Sequence, residues 1–298
     1  MSTVDVPILN LESPLVEQIK IIEAAAAQFG FFRVDIASVS NVFGVDVERA
    51  VADAFRVSRT FFGRDASCKD ELRARPGCGY TAFGSETLDA RGSSTGDAKE
   101  GFYVARTGTP WPADDGEFRD VSERYYAMMF RLGRVLLGLF ASVLGCDRAF
   151  FDEHWDGEHS CVLRYLRYPR GAASDEKSGA FACGAHSDYG AITILATDET
   201  PGLQIYDRES RRWKGVAPRT DTFIVNVGDL LERWSNKKLV STRHRVMTSG
   251  ERERYSIPFF FEPRKDSVIT PVCDDGEEPM FAPKQFGEYL QERYTETY

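Results

Sequence analysis

The segment from residue 161 to residue 272 decides the fold: CVLRYLRYP (161–169), GAITILAT (190–197), GLQIY (202–206), RWKGVAP (212–218), TFIVNVGD (222–229), LVSTRHRVM (239–247), RYSIPFFFEP (254–263) and SVITPV (267–272). Each run is short, rich in β-branched and aromatic residues, and bounded by glycine, proline or small polar residues. A succession of short strands with frequent turn signals predicts an all-β sandwich or barrel over this part of the chain.

Upstream the texture is mostly helical. VPILNL (6–11) and FFRV (31–34) read as short strands. Between them Ser13-Pro14 opens a helix reaching about Phe29, with serine as cap, proline at the first helical position and Gly30 as the stop. A second amphipathic helix is expected over residues 45–62, with Val47, Val51, Phe55 and Phe62 on its apolar face. The longest helical pattern runs from Phe118 to Leu144 and ends at Gly145; a last helix covers 283–294. Residues 76–98 are punctuated by glycine and small polar residues and read as loop. A helical part thus supports a β-sandwich, with both built into one unit.

The chain has 298 residues, 42% of them apolar and 28% charged, as expected of a soluble globular protein. Its formal net charge of −9 argues against nucleic acid as a partner, because phosphate binding needs a basic surface. The six cysteines form no C-x-x-C pair and are read as reduced thiols rather than a disulfide framework. No basic segment followed by an apolar run opens the chain, and no run reaches the roughly 20 apolar residues of a membrane helix. A cytoplasmic protein without membrane partner, monomeric by default, is the expectation.

Chemistry concentrates at His186-Ser187-Asp188 and at His244. Alternate residues of a strand share a face, so His186 and Asp188 can project together from a strand end into one cavity. His244 is far enough along the chain to return on another strand. Two imidazoles and one carboxylate form a facial set with open positions, which suits non-haem Fe(II) better than the closed four-ligand sites of structural zinc. Arg254 and Ser256 share a strand face by the same period, where a guanidinium and a hydroxyl can hold a carboxylate. Tyr168, ending another strand, can add a phenol donor. Alone, each of these would be read as a surface or core residue; together they describe an iron site beside an anchor for an acidic cosubstrate. His154 and His159 sit in a helix-to-strand connection and are read as part of a polar surface loop rather than as a metal pair.

The ordered set of segments resembles the isopenicillin N synthase-like group of Fe(II)/2-oxoglutarate-dependent dioxygenases. The resemblance runs through VPILNL, GFFRV, GYTAFGSETLD, GDAKEGFYV, PWP, LRYLRYP, HSDYGAITIL, GLQIY, FIVNVGDLLERWSN, STRHRV, RYSIPFFFEP and the closing helix. It implies a distorted double-stranded β-helix, or jelly-roll, within a mixed but mainly β fold. Residues 1–115 would be the N-terminal helical and strand region of this group. Residues 116–298 would be the jelly-roll with its supporting helix. It implies Fe(II) on His186, Asp188 and His244, and 2-oxoglutarate held by Arg254 and Ser256 with Tyr168 assisting. With O2, the implied reaction yields succinate and CO2 while a small organic metabolite is hydroxylated, desaturated or ring-closed. Many members carry asparagine two residues before that tyrosine, where this chain has Leu166.

Candidate substrate contacts are Tyr80, Phe83, Phe102, Trp234 and Phe260. Arg73, Arg75, Arg91, Arg106 and Arg164 are candidates for recognising an acidic substrate. Residues 87–98 and 171–181 are candidate lids. Two other readings stay open: an iron oxidase of the same fold that does not use 2-oxoglutarate, and a non-catalytic protein that binds a small carboxylate.

Overall fold

The computed structural model describes residues 2–73, 77–89, 92 and 95–297. Strands β1 (Thr3–Val4) and β2 (Ile8–Leu9) precede helix α1 (Leu15–Gln28) and strand β3 (Phe31–Asp35). Helices α2 (Ile36–Phe43), α3 (Val47–Phe62) and α4 (Ala66–Asp70) follow, then β4 (Gly79–Thr81), β5 (Glu100–Ala105) and the long α5 (Gly116–Val143). The β-rich part holds β6 (Val162–Tyr168), β7 (Cys183–His186), β8 (Ile192–Thr197), β9 (Leu203–Asp207), β10 (Arg212–Val216) and β11 (Thr222–Val227). It ends with α6 (Asp229–Trp234), β12 (His244–Val246), β13 (Arg254–Phe261), β14 (Val268–Ile269), β15 (Lys284–Gln285) and α7 (Phe286–Thr297).

Two sheets face each other. The larger has the order β2-β3-β11-β8-β13-β6-β5-β4, the smaller β1-β10-β9-β12-β7. Strands β6 to β13 are shared between the two sheets, which makes the double-stranded β-helix. N-terminal strands extend both sheets: β3 pairs antiparallel with β11, and β1 pairs parallel with β10.

Side-chain parity then divides the larger sheet into two faces. Leu163 and Tyr165 of β6, Ile192 and Ile194 of β8, and Tyr255, Ile257, Phe259 and Phe261 of β13 join the main core with residues of α1, α3 and α5. Their alternates, Arg164, Leu166 and Tyr168, Thr193 and Leu195, and Arg254, Ser256, Pro258 and Phe260, line a cavity between the sheets. Helix α5 is long and apolar enough to cross a membrane by length and composition. Its Phe118, Tyr125, Met129, Leu132, Leu136 and Phe140 are instead buried in this core.

Three short helices escape the sequence reading, α2, α4 and α6. Asp35 caps α2 by accepting from the Ser38 amide, and Gly44 closes it in the left-handed conformation at φ +66°. Both cap signals are visible in the sequence, but eight residues are too few for a clear apolar period. Helix α6 begins at Asp229, the last residue of TFIVNVGD, and turns Trp234 inward.

Candidate active site

His186 ends β7 and His244 opens β12, and the two are direct partners across that antiparallel pair. Asp188 follows two residues beyond His186, so one loop and one cross-strand pair gather all three. Nε2 of each histidine lies 3.6 Å from Asp188 Oδ1, and the ligand atoms of the three residues lie within 4.8 Å of one another. The imidazoles sit 4.3 Å apart between centroids.

The remaining atoms of the triad are held from behind. Nδ1 of His186 donates to the Gly184 carbonyl at 2.8 Å, and Nδ1 of His244 donates to that of Thr242 at 3.2 Å. Both Nε2 lone pairs are thereby aimed at the common point. Asp188 Oδ2 accepts from Thr193 Oγ1 at 2.6 Å and from Asn226 Nδ2 at 2.8 Å, leaving Oδ1 for a metal. Burial, then the neighbouring His186, push His244 down to about 4, so it is neutral and able to ligate at physiological pH. Burial opposes ionisation of Asp188, yet the two histidines and the Thr193 and Asn226 hydrogen bonds keep its carboxyl below its ordinary value. Two imidazole nitrogens and one carboxylate oxygen, converging from one side, fit Fe(II).

Asp229, at the start of α6, grips both ligand-bearing segments. Its Oδ2 accepts from Ser187 Oγ at 2.9 Å and its Oδ1 from Ser241 Oγ at 2.6 Å. Its amide donates to the Asp188 carbonyl at 2.8 Å, and Arg293 of α7 reaches Oδ2 at 3.1 Å. The sequence reading does not single out Asn226 or Asp229, although both lie in TFIVNVGD. The signal that finds Asn226 is parity: Val225 and Val227 face the core, so Asn226 must face the cavity.

The same cavity, about 180 Å³, contains Arg254, Ser256 and Tyr168. One water needs only ~10–15 Å³, so a ligand of many atoms fits. Arg254 stands directly opposite Tyr168, and Ser256 opposite Leu166, on β13 and β6. The Arg254 side chain is buried, donates to Ser256 Oγ at 3.3 Å and lies 4.9 Å from the Tyr168 ring centroid. Its Nε has no partner, and among the described residues no carboxylate pairs with it. A buried guanidinium left this way is costly unless an outside anion completes it, so the set fits the carboxylate of a ligand. Gly202 makes the space: a Cβ there would fall 3.1 Å from Arg254 Cδ. Leu166 packs with Tyr168, Ala182, Cys183 and Val246 and offers no polar atom where many members of the resembling group have an amide.

Two family models match the chain. The 2OG-Fe(II) oxygenase superfamily model covers residues 157–263, and the non-haem dioxygenase in morphine synthesis N-terminal model covers residues 6–125. Clavatol oxidase claD of Penicillium crustosum is 30% identical, with 94% of this chain and 90% of that protein aligned. The chain belongs to the 2OG-Fe(II) oxygenase superfamily. A 2-oxoglutarate-Fe(II) type oxidoreductase, hxnY of Emericella nidulans, is 32% identical over 74% of this chain and 68% of its own length. Among solved structures, a full-length Neurospora crassa protein in complex with alpha-KG superposes with a TM-score of 0.85 at 27% identity, covering 98% of this chain and 96% of that one.

Within this oxygenase, only Phe260 of the expected aromatic contacts lines the cavity. Phe102 points into the core against Phe61 and Phe118; its neighbour Tyr103 has the cavity-facing parity. Tyr80 is buried and donates to Glu100 Oε2 at 2.6 Å. Trp234 is enclosed by Trp155, Phe151 and His154. Phe83 is 53% exposed on the 82–99 connection, away from the cavity lining. Arg73 pairs with Asp70 on the surface, and Arg106 lies in a separate surface hollow. Arg75 and Arg91 lie outside the described residues.

Arg164 does line the cavity, but its charge is matched internally. It pairs with Glu86 and covers the Tyr103 ring at 4.1 Å, while its Nε lies against Gly101 without a partner. Lys99, also on the wall, pairs with buried Asp97 and lies 3.7 Å from Glu86. The two candidate lids meet beside β7: the Ala98 amide donates to the Phe181 carbonyl at 2.9 Å, and the Gly184 amide to Asp97 Oδ1 at 2.9 Å.

Proposed function

We propose that this oxygenase binds 2-oxoglutarate through Arg254, Ser256 and Tyr168 and oxidises a C–H bond of a small organic molecule beside His186, Asp188 and His244. The unpaired Arg254 guanidinium, buried in the cavity that holds the triad, carries this reading. Fe(II) with 2-oxoglutarate and O2 supplies the oxidising chemistry, releasing succinate and CO2. The chain's part is to orient. Gly184 and Thr242 carbonyls fix the imidazole tautomers, Thr193 and Asn226 fix one carboxylate oxygen, and Arg254 fixes the far end of the cosubstrate. Burial of the Tyr168 phenol raises its pKa and keeps it a donor. The apolar wall of Leu166, Pro258 and Phe260 excludes water from the substrate.

Hydroxylation is the outcome we assign. Small-molecule substrates are supported by solved relatives: the Neurospora crassa protein is seen with thymine and with 5-formyluracil, whose formyl group is the oxidised form of thymine's methyl. We take the protein to act as a monomer in a reducing, cytoplasmic compartment, in which its six free cysteines persist. We also take residues 1–115 and 116–298 to work as one unit, because β1 and β3 complete the two sheets. The test is anaerobic titration of the purified protein with Fe(II) and 2-oxoglutarate, followed by O2 and assay of succinate. Binding of Fe(II) with no 2-oxoglutarate dependence of O2 uptake would favour an oxidase that needs no cosubstrate. Cosubstrate binding without any turnover would favour a carboxylate-binding protein.

A further inference from the structure

We infer that Glu262 anchors the substrate of this oxygenase, and that the substrate is an uncharged small molecule presenting an N–H or O–H donor to it rather than a carboxylate. The inference rests on the function proposed above.

The cavity-facing row of β13 begins with Arg254 and continues through Ser256, Pro258 and Phe260. Its next member is Glu262, one residue past the strand end. The row therefore has a cation at one end and a carboxyl at the other. Glu262 is half-buried and lies over Gly190, immediately after the Asp188-Tyr189 segment. A Cβ on Gly190 would fall 2.8 Å from Glu262 Cγ, so glycine there makes the room this side chain occupies.

Its neighbours on the cavity wall leave it alone. Lys99 is taken by Asp97, and Arg164 by Glu86. Among the described residues, no hydrogen bond or ion pair reaches the Glu262 carboxyl. The histidines and Asp188 are reserved for the metal, and Arg254 for the cosubstrate. Glu262 is thus the one carboxyl on the described lining whose partner must come from outside, and a carboxyl at such a place selects a donor. An anionic substrate would find no uncommitted cation among the described wall residues, since Lys99 and Arg164 are spoken for. Burial, then Asp188, push the Glu262 carboxyl up to about 8 against the weaker pull of Lys265, so near neutral pH it is largely the uncharged acid, whose carbonyl oxygen still accepts from a substrate N–H or O–H.

The test uses the full chain loaded anaerobically with Fe(II) and 2-oxoglutarate, read by the metal-to-cosubstrate absorbance band and its perturbation by added compounds. The probes are matched sets: thymine against 1,3-dimethylthymine, and 4-methylphenol against 4-methylanisole and 4-methylbenzoate. Donor-bearing members should bind about tenfold more tightly than their capped partners, and 4-methylbenzoate should bind weakest. Glu262→Leu should erase the preference. Glu262→Gln, which keeps an acceptor and the side-chain shape, should retain it within about threefold, provided that both variants unfold at the wild-type midpoint. Tighter binding of 4-methylbenzoate, no loss on capping, or no dependence of any probe on Glu262 overturns the proposal alone. Absence of the absorbance band before any probe is added overturns the underlying function and this inference with it.

Discussion

Two sets of charged groups on the cavity wall are treated in opposite ways. In the metal and cosubstrate set, His186, His244, Asp188 and Arg254 are positioned by hydrogen bonds while their reactive atoms are left without protein partners. In the other set, Lys99 and Arg164 are cancelled by Asp97 and Glu86. The difference teaches how to read a polar cavity. Groups held in place but left incomplete mark what must arrive from outside, whereas cancelled charges hold the wall together.

The sharpest way to break this comparison is His186→Ala, which removes a ligand from the incomplete side. Fe(II) affinity should fall by more than about 100-fold, beyond the usual cost of losing a supporting residue, as measured by equilibrium titration. Lys99→Met attacks the cancelled side and should behave differently. It leaves Asp97 buried and unpaired, lowering stability by about 3–5 kcal/mol in denaturant unfolding, while 2-oxoglutarate affinity of the folded fraction stays within about twofold. A loss of cosubstrate binding without loss of stability would erase the distinction.

Arg254→Met should weaken 2-oxoglutarate by roughly 10- to 100-fold with Fe(II) binding nearly intact, because it deletes charge-assisted hydrogen bonds made only to the cosubstrate. Asp229→Asn touches neither ligand. It loosens Ser187 and Ser241 together and should cost Fe(II) affinity about tenfold, the lower end for such supporting groups. The gentlest probe is pH. In the folded metal-free chain His244 takes up its proton only near pH 4, against about 6.5 when unfolded. Its contribution to stability is therefore complete above about pH 6.5 and is lost as pH falls toward 4, so the thermal midpoint should decline across that window. A midpoint that is flat there would show that His244 is not held neutral by the fold.

Legibility in the sequence follows periodicity. Helices α1, α3 and α5 and most strands of the sandwich are readable because their apolar periods are long or their runs well bounded. The metal triad and R-x-S are readable because a period of two puts both members of each pair on one face. The substrate contacts are chosen by texture, and parity then sorts them: Phe260 shares the face of Arg254 and Ser256, whereas Phe102 lies one residue from the cavity-facing Tyr103, and one residue's shift on a strand exchanges core for cavity. Trp234 and Tyr80 are amphipathic aromatics that the core claims, on a helix and a short strand whose outlook no local pattern reveals. Carrying the β13 parity two residues further reaches Glu262. The cancelling of Lys99 and Arg164 is out of reach, because Asp97 and Glu86 come from an irregular connection.

Strand β7 is only four residues long and lies at the margin of the smaller sheet, paired on one side alone with β12. His186 and His244 are opposite residues of that one ladder. An ion shared between them would act as a rivet through one edge seam of the sheet, fastening this short edge strand to its neighbour. Loading the metal should thus slow amide exchange along β7 and protect the 171–181 segment from proteases. The oxygenase would announce its readiness for catalysis by stiffening its own border.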